Sequence, residues 1–178
     1  QMLDISQAQT NYAFFVQSQA ELFKGFNLIN GIRYDKYSDF SNALTWRSGI
    51  SYQVPVVQTI LHANYGTAYT PPTPQDLTPV FNGNPSLMTP QSSRGYEVGI
   101  TQPLAGNKVT LRTTFFRNDL RNTYKYPPPA YIPMPIGSAT TQGLESGLDW
   151  NPCAMFGLNL SYTYLDAYDN TNMVRLVR

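Results

Sequence analysis

One cysteine and one histidine occur in 178 residues. Cys153 alone closes no internal disulfide and builds no multi-cysteine metal site, and His62 alone makes no histidine cluster. Charge is scarce too: Asp, Glu, Lys and Arg make up 13% of the chain and the formal net charge is +1. That leaves no basic footprint for a nucleic acid. No apolar run reaches the roughly 18 residues that a membrane helix needs. The same absence does not bear on a membrane barrel, whose strands cross with about 9 to 11 residues and one apolar face.

What is plentiful is tyrosine, phenylalanine, proline and glycine, at 13, 9, 14 and 12 residues. The stretch 60–100 organises the rest. An alternating run ends in Tyr69-Thr70-Pro71-Pro72, a connection rich in Pro, Gly and Asn follows, and a second alternating run begins near Ser93. Period-two alternation predicts eight strands: Ala8–Ala20, Phe26–Tyr34, Ala43–Gln53, Gln58–Tyr69, Ser93–Gln102, Lys108–Leu120, Thr141–Trp150 and Phe156–Tyr168. On one phase lie Phe14, Leu28, Ile32, Trp46, Tyr65, Val98, Phe115, Leu144 and Leu160, with Asn30 as an interruption. On the other lie Arg33, Arg47, His62, Glu97, Arg112, Glu145 and Asp149. The five prolines between Arg121 and Thr140 are expected to keep that segment out of the sheet, because each lacks an amide donor.

The pattern predicts an all-β fold, a transmembrane antiparallel barrel. Short connections near Lys24, Pro55, Ala105 and Asn151-Pro152-Cys153 alternate with longer ones after Asp35, Tyr69, Leu120 and Tyr168. Outer-membrane barrels have short turns inside and long loops outside. An arginine on the lipid face would cost about 2–4 kcal/mol near the midplane, which suits the sorting of charge onto one phase. Tyr34, Tyr52, Tyr65, Tyr69, Trp150 and Tyr168 are expected near strand ends as an aromatic girdle. Two other readings remain: a complete eight-stranded barrel with a structural or adhesive role, and a soluble β domain with a carbohydrate-binding face.

The segment Tyr65-Gly66-Thr67-Ala68-Tyr69-Thr70-Pro71-Pro72, with Asp76-Leu77, Gly83-Asn84-Pro85-Ser86-Leu87-Met88-Thr89-Pro90 and Tyr96-Glu97-Val98-Gly99-Ile100, resembles the barrel of TonB-dependent outer-membrane receptors. Gly31-Ile32-Arg33-Tyr34-Asp35, Gly143-Leu144-Glu145 and Leu160-Ser161-Tyr162-Thr163-Tyr164-Leu165-Asp166-Ala167 extend the likeness over nearly the whole chain. Gln91 departs from it, standing where the family usually has Glu. The resemblance implies eight strands from the middle-to-late third of a roughly 22-stranded barrel, with residues 1–178 as a partial barrel domain lacking the plug. Gln1 is not an initiator Met and the chain stops mid-pattern at Arg178, so it is expected to be an excerpt.

The resemblance further implies active uptake of a siderophore-iron complex, cobalamin, haem or a similar bulky nutrient. TonB and its inner-membrane partners would supply energy through parts of the receptor not present here, and outer-membrane lipid would surround the wall. No enzyme activity, cofactor or resident metal is implied, and no catalytic constellation is visible: Ser161 lacks a nearby His, and Asp166 and Asp169 fall on opposite phases. Candidate cargo contacts are Tyr69, Gln75, Asp76, Phe81 and Asn82 on one long connection and Tyr124, Lys125, Tyr126, Tyr131 and Met134 on the next. Lys125 offers a positive charge to an anionic chelate, and the tyrosines offer flat faces and hydroxyls. For any single one of these aromatics, loop-against-loop packing is the more ordinary role. His62 reads as a polar lining residue, Cys153 as a free thiol on a turn, and Met88 and Met134 as ordinary loop contacts.

Overall fold

The computed structural model describes residues 9–73, 76, 77, 88–125, 129 and 134–176. They form a single antiparallel meander in which every strand pairs with its neighbour in sequence. The strands are β1 Asn11–Phe23, β2 Phe26–Tyr37, β3 Ala43–Gln53, β4 Ile60–Thr70, β5 Gln91–Leu104, β6 Val109–Lys125, β7 Met134–Cys153, β8 Phe156–Asp169 and β9 Val174–Arg175. The eight predicted strands are all present, and the two-residue β9 is added.

Where the chain turns, the sequence supplies the residues that turning needs. At Lys24-Gly25 the glycine has φ +82°, and its carbonyl accepts the Gln53 amide at 2.8 Å. The β5–β6 turn runs through Ala105, Gly106 and Asn107, all at positive φ. The predicted turn at Asn151-Pro152-Cys153 is displaced: β7 continues through those residues with a register shift, and the chain reverses at Ala154-Met155. Cys153 is therefore an exposed free thiol at a strand end, not on the turn itself.

The proline-rich segment is also corrected. Strand β6 runs on to Lys125 and β7 begins at Met134, paired through Arg121↔Ser138, Thr123↔Gly137 and Tyr124↔Pro135. Two register shifts accompany positive φ at Asn122 and Gly137. A proline is tolerated at position 135 because β8 pairs with β7 only as far as Ala139↔Asp169. Beyond that point β7 is an edge, where a missing amide donor leaves no partner unsatisfied.

The connections at the end holding 71–90 and 126–133 are mostly longer than those at the other. The exceptions are 38–42 and 170–173, both shorter than 54–59 at the opposite end. So the predicted alternation of lengths is carried by β4–β5 and β6–β7.

The described residues form no central core. Ala43, Met88 and Ala139 are buried, as is Pro72, while Phe14, Trp46, Val98, Phe115, Leu144 and Leu160 remain exposed. A one-layer sheet has two open faces, and register assigns each residue to one. Cross-strand rows such as Ala63↔Val98↔Phe115↔Leu144↔Tyr164 make the middle of one face largely apolar. The other carries Arg47, Gly66, Gly95, Asn118 and Thr141 in a single row. From Ala167 on, β8 meets β9 and Leu176; from Phe156 to Asp166 the backbone of its outer edge is unpaired among the described residues, as is that of β1. One apolar face, one polar face and two open edges are what an arc of barrel wall requires.

Candidate functional site

The polar face is built by setting long side chains flat over glycines of the adjoining strand. Arg47 lies across Gly31, where an added Cβ would stand 3.3 Å from its Cγ. Asn64 covers Gly49, and His62 covers Gly99, which is buried between His62 and Thr114. Glycine is needed because any Cβ there would occupy the neighbour's volume. His62 is thus a packed lining residue, consistent with its predicted role, and the described residues contain no metal-holding group of His, Cys, Asp and Glu.

These side chains are tied to one another. Asn64 donates to Glu97 at 2.5 Å, Arg33 forms a forked pair with Asp35 at 2.8 Å, and Arg112 pairs with Asp149. A cleft of about 560 Å3 runs along this face between Arg47, Glu97, Asn118 and Glu145. All six charges predicted for the polar phase lie on this face.

At the rim, the structure gives three of the ten candidate cargo residues definite surroundings. Tyr69 donates to the Ser41 carbonyl at 3.0 Å, and its ring lies 5.5 Å from that of Tyr37. It bridges the β2–β3 connection to the top of β4. Asp76 accepts the Thr73 amide at 2.9 Å and hydroxyl at 2.7 Å, closing a local turn. The Tyr124 hydroxyl accepts the Thr89 amide and donates to the Thr89 carbonyl at 2.9 Å. It fastens the end of the 71–90 connection to β6. Lys125 and Met134 sit opposite each other where the β6–β7 ribbon ends. Gln75, Phe81, Asn82, Tyr126 and Tyr131 lie outside the described residues.

Aromatics gather in tiers on the apolar face, though not all at strand ends. Phe23, Phe26 and Tyr52 pack together at one end, and Trp150 meets Phe156 edge-on. Tyr65, expected at a strand end, is in the middle of β4 and packs on Trp46 at 5.0 Å. Asn30, the interruption in the apolar phase, accepts a 2.8 Å bond from Ser48, which gives its side-chain oxygen a donor.

One group was not anticipated. Arg94, Arg117, Asp119 and Arg121 occupy the apolar phase, above Tyr96 and Phe115. The signal was available, since Phe115, Arg117, Asp119 and Arg121 are spaced by two and must share a face.

The sequence profile of the TonB-dependent receptor-like β-barrel matches residues 3–176. The chain belongs to this family. Its registers agree with that membership, and the sheet is a segment of the wall of an outer-membrane barrel. The chain is 28% identical over 156 residues to the vitamin B12 transporter BtuB of Photobacterium profundum, covering 83% of this chain and 25% of that protein. The ferric enterobactin receptor PfeA of Pseudomonas aeruginosa matches with a TM-score of 0.73 at 19% identity, over 88% of this chain and 26% of the receptor. The siderophore receptor PirA of the same species matches at 0.72 and 21% identity, over 89% and 34%. At such identities the structural likeness speaks to the fold. The chain spans about a quarter of the length of the B12 transporter it matches.

Proposed function

We propose that this wall segment belongs to a receptor that binds a scarce, bulky nutrient at the cell surface and imports it with energy relayed by TonB. The observation that carries the reading is family membership over residues 3–176, joined to a sheet with one lipid-facing phase and one charged, hydrogen-bonded phase. The charged phase suits a lumen filled by a plug domain, and the edges of β1 and β8 suit continuation into a barrel of about 22 strands. Residues 1–178 are then a partial barrel domain. Contact with TonB and its inner-membrane partners is made by other parts of the receptor. The work is transport, with no bond of the cargo broken, and no cofactor is required.

Cargo of the metal-chelate or cobalamin kind is supported by the relatives, whose names specify vitamin B12, ferric enterobactin and siderophores. The rim supplies the contacts: Tyr69, Gln75, Asp76, Phe81 and Asn82 from one connection, and Tyr124, Lys125, Tyr126, Tyr131 and Met134 from the β6–β7 ribbon and its tip. Tyr69, Asp76 and Tyr124 contribute by holding the loops, and the remainder by touching cargo. Binding of labelled ferric siderophores, haem and cobalamin to intact cells carrying the full receptor tests this reading. Saturable binding of one class, lost on deleting the receptor gene, is expected. Equal binding with and without the gene for every class would overturn it.

A further inference from the structure

Strands β3 and β4 pair only up to Arg47↔Gly66, although β3 begins at Ala43 and β4 continues to Thr70. Above that point Thr67 inserts its hydroxyl, accepting the Trp46 amide at 3.0 Å, and the strands part until Tyr69 reaches across to Ser41. The parting opens a cleft of about 800 Å3, most of whose lining residues belong to the apolar, outward phase.

Its two walls differ in chemistry. Leu44 and Trp46 form one, and Leu44 remains 62% exposed. Arg94, Arg117 and Arg121 form the other, with Asp119 the carboxylate among them. Arg117 is held by Asp119 at 3.0 Å, and Asp119 also accepts the Thr140 hydroxyl at 2.8 Å. Arg94 and Arg121 make no hydrogen bond or close ion pair among the described residues, Arg121 acts on the Asp119 carboxylate only through space, and both are exposed.

Height in the membrane sets what these cations meet. From Val109 to Arg117 along β6 is about 27 Å of strand, or ~20 Å along the membrane normal at a typical tilt. The apolar band of such barrels is about 25 Å tall and ends in aromatics. Tyr96 pairs directly with Arg117, so Arg94 and Arg121, farther along the same rows, stand at headgroup level. Guanidinium groups match phosphate oxygens in a two-point fork.

We infer that this cleft binds a phosphorylated glycolipid of the outer leaflet, its phosphate on Arg94 and Arg121 and an acyl chain against Leu44 and Trp46. This inference rests on the outer-membrane reading, with the 71–90 and 126–133 connections outside. The test uses the full receptor, purified in detergent and stripped of lipid, with no cargo or TonB present. Its failure would thus leave the transport reading intact, and failed transport would leave this one intact. The probes are a hexa-acylated diglucosamine bisphosphate lipid, its dephosphorylated form, phosphatidylglycerol and inorganic phosphate.

Saturable binding of the bisphosphate lipid is expected, weakened at least tenfold by removing its phosphates and equally by R94Q/R121Q. Substitution R94K/R121K should restore part of the affinity lost in R94Q/R121Q, since lysine keeps the charge and lacks the fork, and that partial recovery separates phosphate recognition from a folding defect. Inorganic phosphate should not compete at millimolar concentration, because it lacks the acyl part. Equal affinity for the dephosphorylated lipid, no effect of R94Q/R121Q, preference for phosphatidylglycerol, or full competition by inorganic phosphate would each overturn the assignment.

Discussion

The imidazole of His62 occupies the space that a side chain at residue 99 would fill: a Cβ on Gly99 would stand 2.5 Å from His62 Nε2 and 2.6 Å from Thr114 Oγ1. Inward side chains of this wall lie along the sheet because glycines on the next strand leave them room. Substitution G99A is therefore expected to destabilise the full receptor by about 1–3 kcal/mol, the usual cost of overpacking. Adding H62A should recover most of the loss. Denaturant unfolding in detergent micelles measures both, and a G99A receptor as stable as the parent would refute the packing.

Tyr124 is a fastener for the 71–90 connection. Replacing it with Phe removes the hydroxyl that holds both the amide and the carbonyl of Thr89. We expect a local loss of about 1 kcal/mol and faster protease nicking between residues 71 and 90, with global stability unchanged. An unaltered cleavage rate would show that the bond does not restrain the connection.

The Ser48 hydroxyl donates to the Asn30 side-chain oxygen on the lipid-facing phase. Substitution S48A should leave Asn30 without its donor and cost about 1–3 kcal/mol, whereas N30A/S48A should be nearly neutral. Unfolding of the two variants in the same micelles decides it, and a neutral S48A would place the pair in contact with water.

Orientation is open to labelling. Once Cys153 is replaced by Ser, a new cysteine at Asn82 or Ala130 should react with an impermeant maleimide on intact cells. One at Val56, Ala105 or Ala154 should react only after the outer membrane is opened. The reverse pattern would invert the wall.

Replacing residues 126–133 with a two-residue Asn-Gly turn keeps the paired ribbon of β6 and β7 and removes its tip. Cargo affinity is expected to fall at least tenfold, about 1.4 kcal/mol, at near-normal surface level. Unchanged affinity would remove the tip from the binding surface.

Strand phases were legible in the sequence wherever alternation was clean. Strand β3 was predicted as Ala43–Gln53, with the bounds it has. The ends of β6 and β7 were not legible, because proline reads as a stop unless one knows that β8 withdraws at Ala139↔Asp169 and leaves position 135 on an edge. Nor was the placement of Tyr65, since distance from a strand end depends on where pairing begins. Sorting charges onto the lumen phase held for six of them, and it drew attention away from Arg94, Arg117 and Arg121, which obey a different rule. Near the interface the cost of an outward arginine falls to about 0–1 kcal/mol. The cargo surface was legible only as loops rich in tyrosine, because strand alternation carries no record of how loops fold over one another.

Energised import is the central claim, and uptake by cells with and without TonB tests it most directly. Cells carrying the full receptor should accumulate one labelled metal chelate or cobalamin when TonB is present, and should bind it without accumulating it when TonB is deleted. Accumulation at the same rate in both strains would contradict the account.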